Sequence, residues 1–323
     1  VNPLDTILEN RRSRRNFLAG AGASLGAAAI LTTGCGSSPT STNTPTTSTA
    51  AYVDADYLNF ALNLEYLEAE FYLRAATGSG LAAADTGSAT TTVTGGSKVP
   101  SVSAAQQAIL NEIAYDEQEH VRALRSALGN NAVSRPNIDL TNSFNALASA
   151  AGIGSTFSPF ASFDAFLVGA FIFEDVGVTA YNGAATLIST AGITSGILAT
   201  AAGILAVEAY HAAYVRTTLT ANTIAQGATA YPYLGYANKV SALRSTLGGG
   251  NETTLNVPSG TTTPTSVVSA SSIVACDTTN AIAFNRTTDQ VLHIVYGTAN
   301  GAGVKSGAFF PNGLNGNITV TQS

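Results

Sequence analysis

Two short motifs hold the residues best suited to chemistry in this chain. Glu117-Gln118-Glu119-His120 and Glu208-Ala209-Tyr210-His211 each place a glutamate and a histidine three residues apart. On a helix that spacing projects carboxylate and imidazole from one face, where both can reach the same metal ion. One Glu-x-x-His arises often by chance. Two of them, consuming two of only three histidines, are hard to ascribe to chance.

Two further acids complete a set. Glu174 follows Phe171-Ile172-Phe173 in apolar surroundings, with Tyr181 seven residues on; Glu65 stands seven before Tyr72 in the same way. Arg125 lies five after His120, and Arg216 five after His211. The chain thus repeats Glu…Tyr and then Glu-x-x-His…Arg twice over. Glu65, Glu117, His120, Glu174, Glu208 and His211 are therefore the expected ligands of two metal ions. Hard carboxylate oxygens with imidazole suit iron or manganese. Glu68 shares the helical stripe with Glu65, but the repeat aligns it with Gly177, which favours Glu65. Asp116, Glu119 and Asp175 are expected outside the ligand set, as supporting or solvated groups. Tyr72 and Tyr181 read either as groups beside the metals, open to a catalytic role, or as core aromatics. Arg125 and Arg216 read as neutralising ligand charge or capping helices.

These residues need four helices to position them. Periodicity predicts helices over 54–76, 103–128, 163–189 and 193–222, with Ser103 capping the second and Gly129 stopping it. A loop at 78–102, a long crossover at 130–162 and a short turn after 189 give two linked pairs joined across a bundle. A shorter helix is expected at 236–247. The last two bundle helices are nearly free of charge, yet only mildly apolar. Glu208, the single acid of 193–222, suits a metal site better than a membrane span. Residues 248–265 read as a linker. The C-terminal extension, 266–323, is expected to mix a strand at 266–276, a helix at 286–296, an aromatic turn at 309–313 and a last strand at 317–321. It is expected to pack on the bundle or to mediate association, as in a homodimer. His293 reads as a surface or packing residue.

The first 51 residues have a different character. Arg14 and Arg15 precede a weakly apolar run, a pattern that resembles the bacterial twin-arginine export signal. Cys35, after Leu31-Thr32-Thr33-Gly34, resembles a lipoprotein processing site, although Thr32 stands where leucine is usual; simple cleavage nearby is the alternative. Residues 36–51 are a Ser/Thr/Pro-rich spacer. An exported protein follows from this reading, periplasmic or held at the cell envelope by lipid on Cys35. No CxxC pair exists, so no zinc or rubredoxin-type iron site is encoded. With a net charge of −6 and 11% charged residues, the chain offers no clustered basic face for nucleic acid.

The segments Leu64–Tyr72, Asp116–Val121 and Phe309–Gly313 resemble those of bacterial ferritin-like proteins related to plant desiccation-related proteins. The resemblance spans about residues 52–323. It implies a mainly α, ferritin-like four-helix bundle with a long crossover and a small mixed α/β C-terminal extension, over a di-iron or di-manganese carboxylate site. Unlike rubrerythrins the chain has no iron–sulfur domain, and its tether and long loops are unlike cage ferritins. Two functions are then expected to compete. One is an oxidoreductase of ferroxidase, peroxidase or catalase type, with dioxygen, peroxide or ferrous iron as its small substrate. The other is a metal-stabilised, non-catalytic protein of binding or stress protection.

Overall fold

The computed structural model describes residues 52–87, 90–256, 273–277, 279–299 and 301–323. Arg14, Arg15 and Cys35 lie outside these residues, as does most of the expected strand at 266–276. The elements in chain order are α1 (Asp54–Thr77), α2 (Ala83–Thr86), β1 (Val93–Thr94), α3 (Ala104–Leu128), β2 (Ile138–Asp139), α4 (Asn142–Ala150), α5 (Phe163–Ala185), α6 (Thr190–Thr194), α7 (Ile197–Gln226), α8 (Tyr233–Gly248) and α9 (Thr288–Tyr296).

The four long helices form the bundle. α1 packs along α3 and α5 along α7, and the two pairs meet through α1 on α5 and α3 on α7. Local chemistry sets their ends. Ser103 accepts a hydrogen bond from the Gln106 amide while the Gln106 side chain accepts from the Ser103 amide, a reciprocal cap for α3. Ser162 caps α5 through the Ala165 amide. The third bundle helix is shorter than 163–189 because α5 ends at Ala185 and Ser189 starts the separate turn α6. Gly196, at φ 89°, then breaks the chain before α7, which begins later than residue 193 and runs on to Gln226.

The pairs differ in burial. α3 buries one stripe, Leu110, Ile113, Ala114, Glu117, His120, Val121, Leu124 and Leu128, the spacing of a helix with one face to solvent. α5 is buried almost all round from Phe163 to Tyr181, because the loops and the C-terminal region cover its outer side. Phe309 packs edge-on against Phe173 and Phe144, with ring centroids 5.0 and 5.2 Å apart. Burying such a ring stabilises by about 1.5–3 kcal/mol. α7 is long and apolar enough to cross a membrane by length and composition, yet its buried stripe carries Glu208 and His211.

The loops carry structure that periodicity does not signal. β1 and β2 pair in parallel, Val93 with Ile138 and Thr94 with Asp139, tying the first loop to the crossover. The final segment departs from expectation: 317–321 is irregular chain, not a strand. Near the other expected strand, Cys276 makes only an isolated bridge to Ala283. β-branched residues favour a strand only where a neighbouring strand offers a ladder, and none is placed there among the described residues.

A buried ionic network docks the C-terminal region. Arg244 reaches Asp175 at 2.8 Å and Glu252 at 2.7 Å, and lies 4.5 Å from the Phe171 ring centre. Arg286 bonds Glu252 and the Thr179 hydroxyl. Its amide donates to Thr179 O at 2.9 Å, an approach that requires Gly183, where an added Cβ would overlap the Arg286 carbonyl.

Candidate metal centre

The six expected ligands come from all four bundle helices and converge. Glu65, Glu117, His120 and Glu208 each offer one donor atom within 4.8 Å of the others; Glu117, Glu174 and His211 form a second group by the same measure. All six are buried, Glu65, Glu117 and Glu208 completely. His120 Nδ1 lies 3.3 Å from Glu65 Oε2, 3.3 Å from Glu117 Oε2 and 3.6 Å from Glu208 Oε1. His211 Nδ1 lies 3.0 Å from Glu117 Oε1 and 3.6 Å from Glu174 Oε2. Glu117 thus turns one oxygen to each group, as a bridging carboxylate does.

These donors satisfy one another only in part, through His120 Nδ1 and Glu117 Oε2. Glu65 Oε2, Glu117 Oε1, Glu174 Oε2, both oxygens of Glu208 and His211 Nδ1 are buried without a hydrogen-bond partner. The 3.0 Å separation of His211 Nδ1 and Glu117 Oε1 lacks hydrogen-bond geometry, so the two atoms point past each other. Buried polar atoms left unpaired cost about 1–3 kcal/mol each. Ligands at ~2.0–2.2 Å from a common cation sit at about these mutual distances. The donor set therefore fits a pair of cations.

The electrostatics agree. Burial pushes Glu65 up to about 7, against the pull of His120. Burial raises Glu174 too, and lifts Glu208 well above the carboxylate range, with Glu117 adding repulsion. Glu117 is the exception. Burial works to raise it, but the His120 hydrogen bond and the positive charge of His120 and His211 win and hold it at about 2. For both imidazoles burial opposes protonation, and the carboxylates around them outweigh it and raise both. This is a site that demands positive charge.

The tyrosines act across the repeat. Tyr72 on α1 donates to Glu174 Oε1 on α5, and Tyr181 on α5 donates to Glu65 Oε1 on α1. Each hydroxyl fixes the outer oxygen of a glutamate whose Oε2 faces the centre. Burial and the adjacent carboxylate hold both phenols well above their ordinary range, so they remain donors. Asp116, across from α7, accepts from or shares a proton with His211 Nε2 at 3.1 Å. The repeat has Val207 at the matching place, and among the described residues no carboxylate takes that part for His120. Glu119 pairs with Arg122 at the surface.

The arginines differ from expectation. Arg125 Nη1 donates to the Tyr66 hydroxyl at 2.6 Å and Arg216 Nη1 to Asp175 at 2.8 Å. Tyr66 and Asp175 each follow a candidate ligand glutamate, and each guanidinium pins that neighbour on the adjoining helix instead of a candidate ligand carboxylate. His293, by contrast, is buried away from the centre, its ring nitrogens against Thr298 O and Ser323 O. A cleft of about 280 Å³, lined by Glu112, Asp116, Tyr210, His211 and Tyr214, opens beside His211.

Residues 53–221 match the model of the ferritin-like domain. The chain belongs to that family. It is 29% identical over 281 residues to ferritin-like catalase Nec2 of Nesocodon mauritianus, covering 82% of this chain and 84% of that protein. It is 32% identical over 211 residues to desiccation-related protein PCC13-62 of Craterostigma plantagineum, covering 60% of this chain and 62% of that one. No solved structure gives a match.

Proposed function

We propose that this protein holds two ions of iron or manganese and uses them to consume hydrogen peroxide. The observation that carries the reading is the convergence of Glu65, Glu117, His120, Glu174, Glu208 and His211, six of whose buried donor atoms have no hydrogen-bond partner. When bound, the ion pair supplies a two-electron store, so that two peroxide molecules become two waters and one dioxygen. The protein's part is to bind and orient: Glu117 serves both positions, and the two tyrosine hydroxyls fix Glu65 and Glu174. The buried site keeps bulk water from the ligands, and the cleft beside His211 gives small reactants a way in. Similarity to a ferritin-like catalase over most of both chains supports peroxide, rather than ferrous iron, as the substrate.

The similarity to a desiccation-related protein favours a second reading, in which the cations serve only to neutralise the buried acids and hold the bundle. Export through Arg14 and Arg15 and attachment through Cys35 belong to the proposal as well, and place the reaction at the cell envelope. The test is oxygen evolution from peroxide by protein loaded with manganese or with iron. Release of one dioxygen per two peroxides supports the first reading. Oxidation of ferrous iron with peroxide ignored would make the protein a ferroxidase. Metal-dependent stability without either reaction would favour the second reading.

A further inference from the structure

Beside the four candidate ligand glutamates lies a fifth buried one, Glu68, that the ligand set does not use. Glu68 lies one turn beyond Glu65 on α1, is 5% exposed, and among the described residues pairs with no cation. It is the single charged residue lining a cavity of about 20 Å³, otherwise walled by apolar groups including Leu67, Phe173, Val176, Ile294 and Phe309. That volume exceeds the ~10–15 Å³ needed by one water-sized molecule, and excludes anything much larger. Gly177 lies where the cavity meets the metal centre: a Cβ there would overlap Glu208 Oε2 and come to 3.5 Å from Glu68 Oε1. The missing side chain leaves a candidate ligand and the cavity's own carboxylate facing the same small space.

The chemistry of the walls selects the occupant. A cation would need several oxygen ligands and would find Glu68 and Glu208 alone against otherwise apolar walls. Dioxygen fits the apolar walls but offers no hydrogen bond to the Glu68 carboxyl group, which makes none among the described residues. Hydrogen peroxide is small and neutral, and donates O–H. We propose that this cavity is the holding site for the peroxide substrate, with one peroxide O–H donating to the Glu68 carboxylate beside the metal centre. The inference rests on the peroxide-consuming reading and deepens it, since it favours peroxide over ferrous iron by the shape and polarity of the site.

The test uses the full metal-loaded chain with E68L, which keeps bulk, and E68Q, which keeps one acceptor oxygen. Both variants should retain the wild-type ion content, and E68L should raise KM for peroxide by about tenfold, with E68Q in between, as loss of one hydrogen bond requires. A fall in ion content in either variant would make Glu68 a metal ligand and overturn the proposal; so would an unchanged KM in E68L. If the wild-type protein consumes no peroxide with either metal, the functional reading fails, and crystals decide the site independently. Two-atom density on Glu68 in peroxide-soaked wild-type crystals, lost in E68L, would support it. Only water there, or nothing, at every peroxide concentration would overturn it.

Discussion

Asp116 meets only one of the two candidate histidines, so the halves of the centre are chemically unequal although a repeat builds them. A carboxylate on the outer imidazole nitrogen fixes the ring and raises its basicity, and losing such a partner typically weakens metal binding by about 10–100-fold. D116A should therefore weaken one of two ions by about tenfold or more, read as a widened gap between two binding steps in calorimetry, whereas V207A should not. Equal weakening of both steps would contradict this inequality. At this scale the sequence is most legible for the Glu-x-x-His pairs, because three-residue spacing on one helix decides which side chains share a face. It is least legible for contacts between helices. The repeat marks Tyr72 and Tyr181, but only the packing of α1 on α5 shows that each serves the other half's glutamate. Asp116 on His211 likewise depends on how α3 meets α7.

Among the elements, α5 owes its place to what it lacks. Gly177 leaves room for Glu208, and Gly183 lets the Arg286 backbone lie against the helix. Alanine at a helical glycine ordinarily favours the helix by about 1 kcal/mol. G177A should keep the helical signal while ion content falls, because Glu208 must swing away from the added methyl. Two ions retained in G177A would show that Glu208 is not needed in its present position. Arg244 argues the opposite way, from what is present. Breaking a buried ion pair by removing one partner costs about 3–5 kcal/mol, and R244M should destabilise the chain by about that much in denaturant unfolding. A change under about 1 kcal/mol would mean Asp175 and Glu252 are held sufficiently by Arg216 and Arg286. Helix existence was readable from periodicity, and helix ends less so. The expected break before 193 moved to Gly196 because Ser189 can cap a separate turn. The strand expected at 317–321 shows why β-propensity misleads without a partner: those residues lie along the bundle and α9, where the Tyr296 hydroxyl donates to Thr319 O.

For the molecule as a whole, the C-terminal region finishes the bundle. Ile294 and Val295 of α9, with Phe309, close the cavity at Glu68, and Asn315 exchanges two hydrogen bonds with Asn63 of α1. Its packing was invisible in the sequence because few of its contacts are periodic; they depend on single residues meeting distant helices. The proposed export and lipid attachment rest on the first 51 residues. If Arg14 and Arg15 act as the proposed export signal, changing both to lysine should leave precursor inside the cell, because such a signal is read as an arginine pair and not as charge. C35A should release soluble protein into the envelope fraction; C35A protein that stays wholly in the membrane fraction would remove the lipid attachment. The central claim is the metal pair itself. Crystals of protein loaded with manganese or iron, measured by anomalous scattering at each metal's absorption edge, test it most directly. Two peaks per chain are expected, roughly 3.5–4 Å apart, within bonding distance of Glu65, Glu117, His120, Glu174, Glu208 and His211. A single peak, or ions bound elsewhere while these six side chains stay unligated, would contradict it.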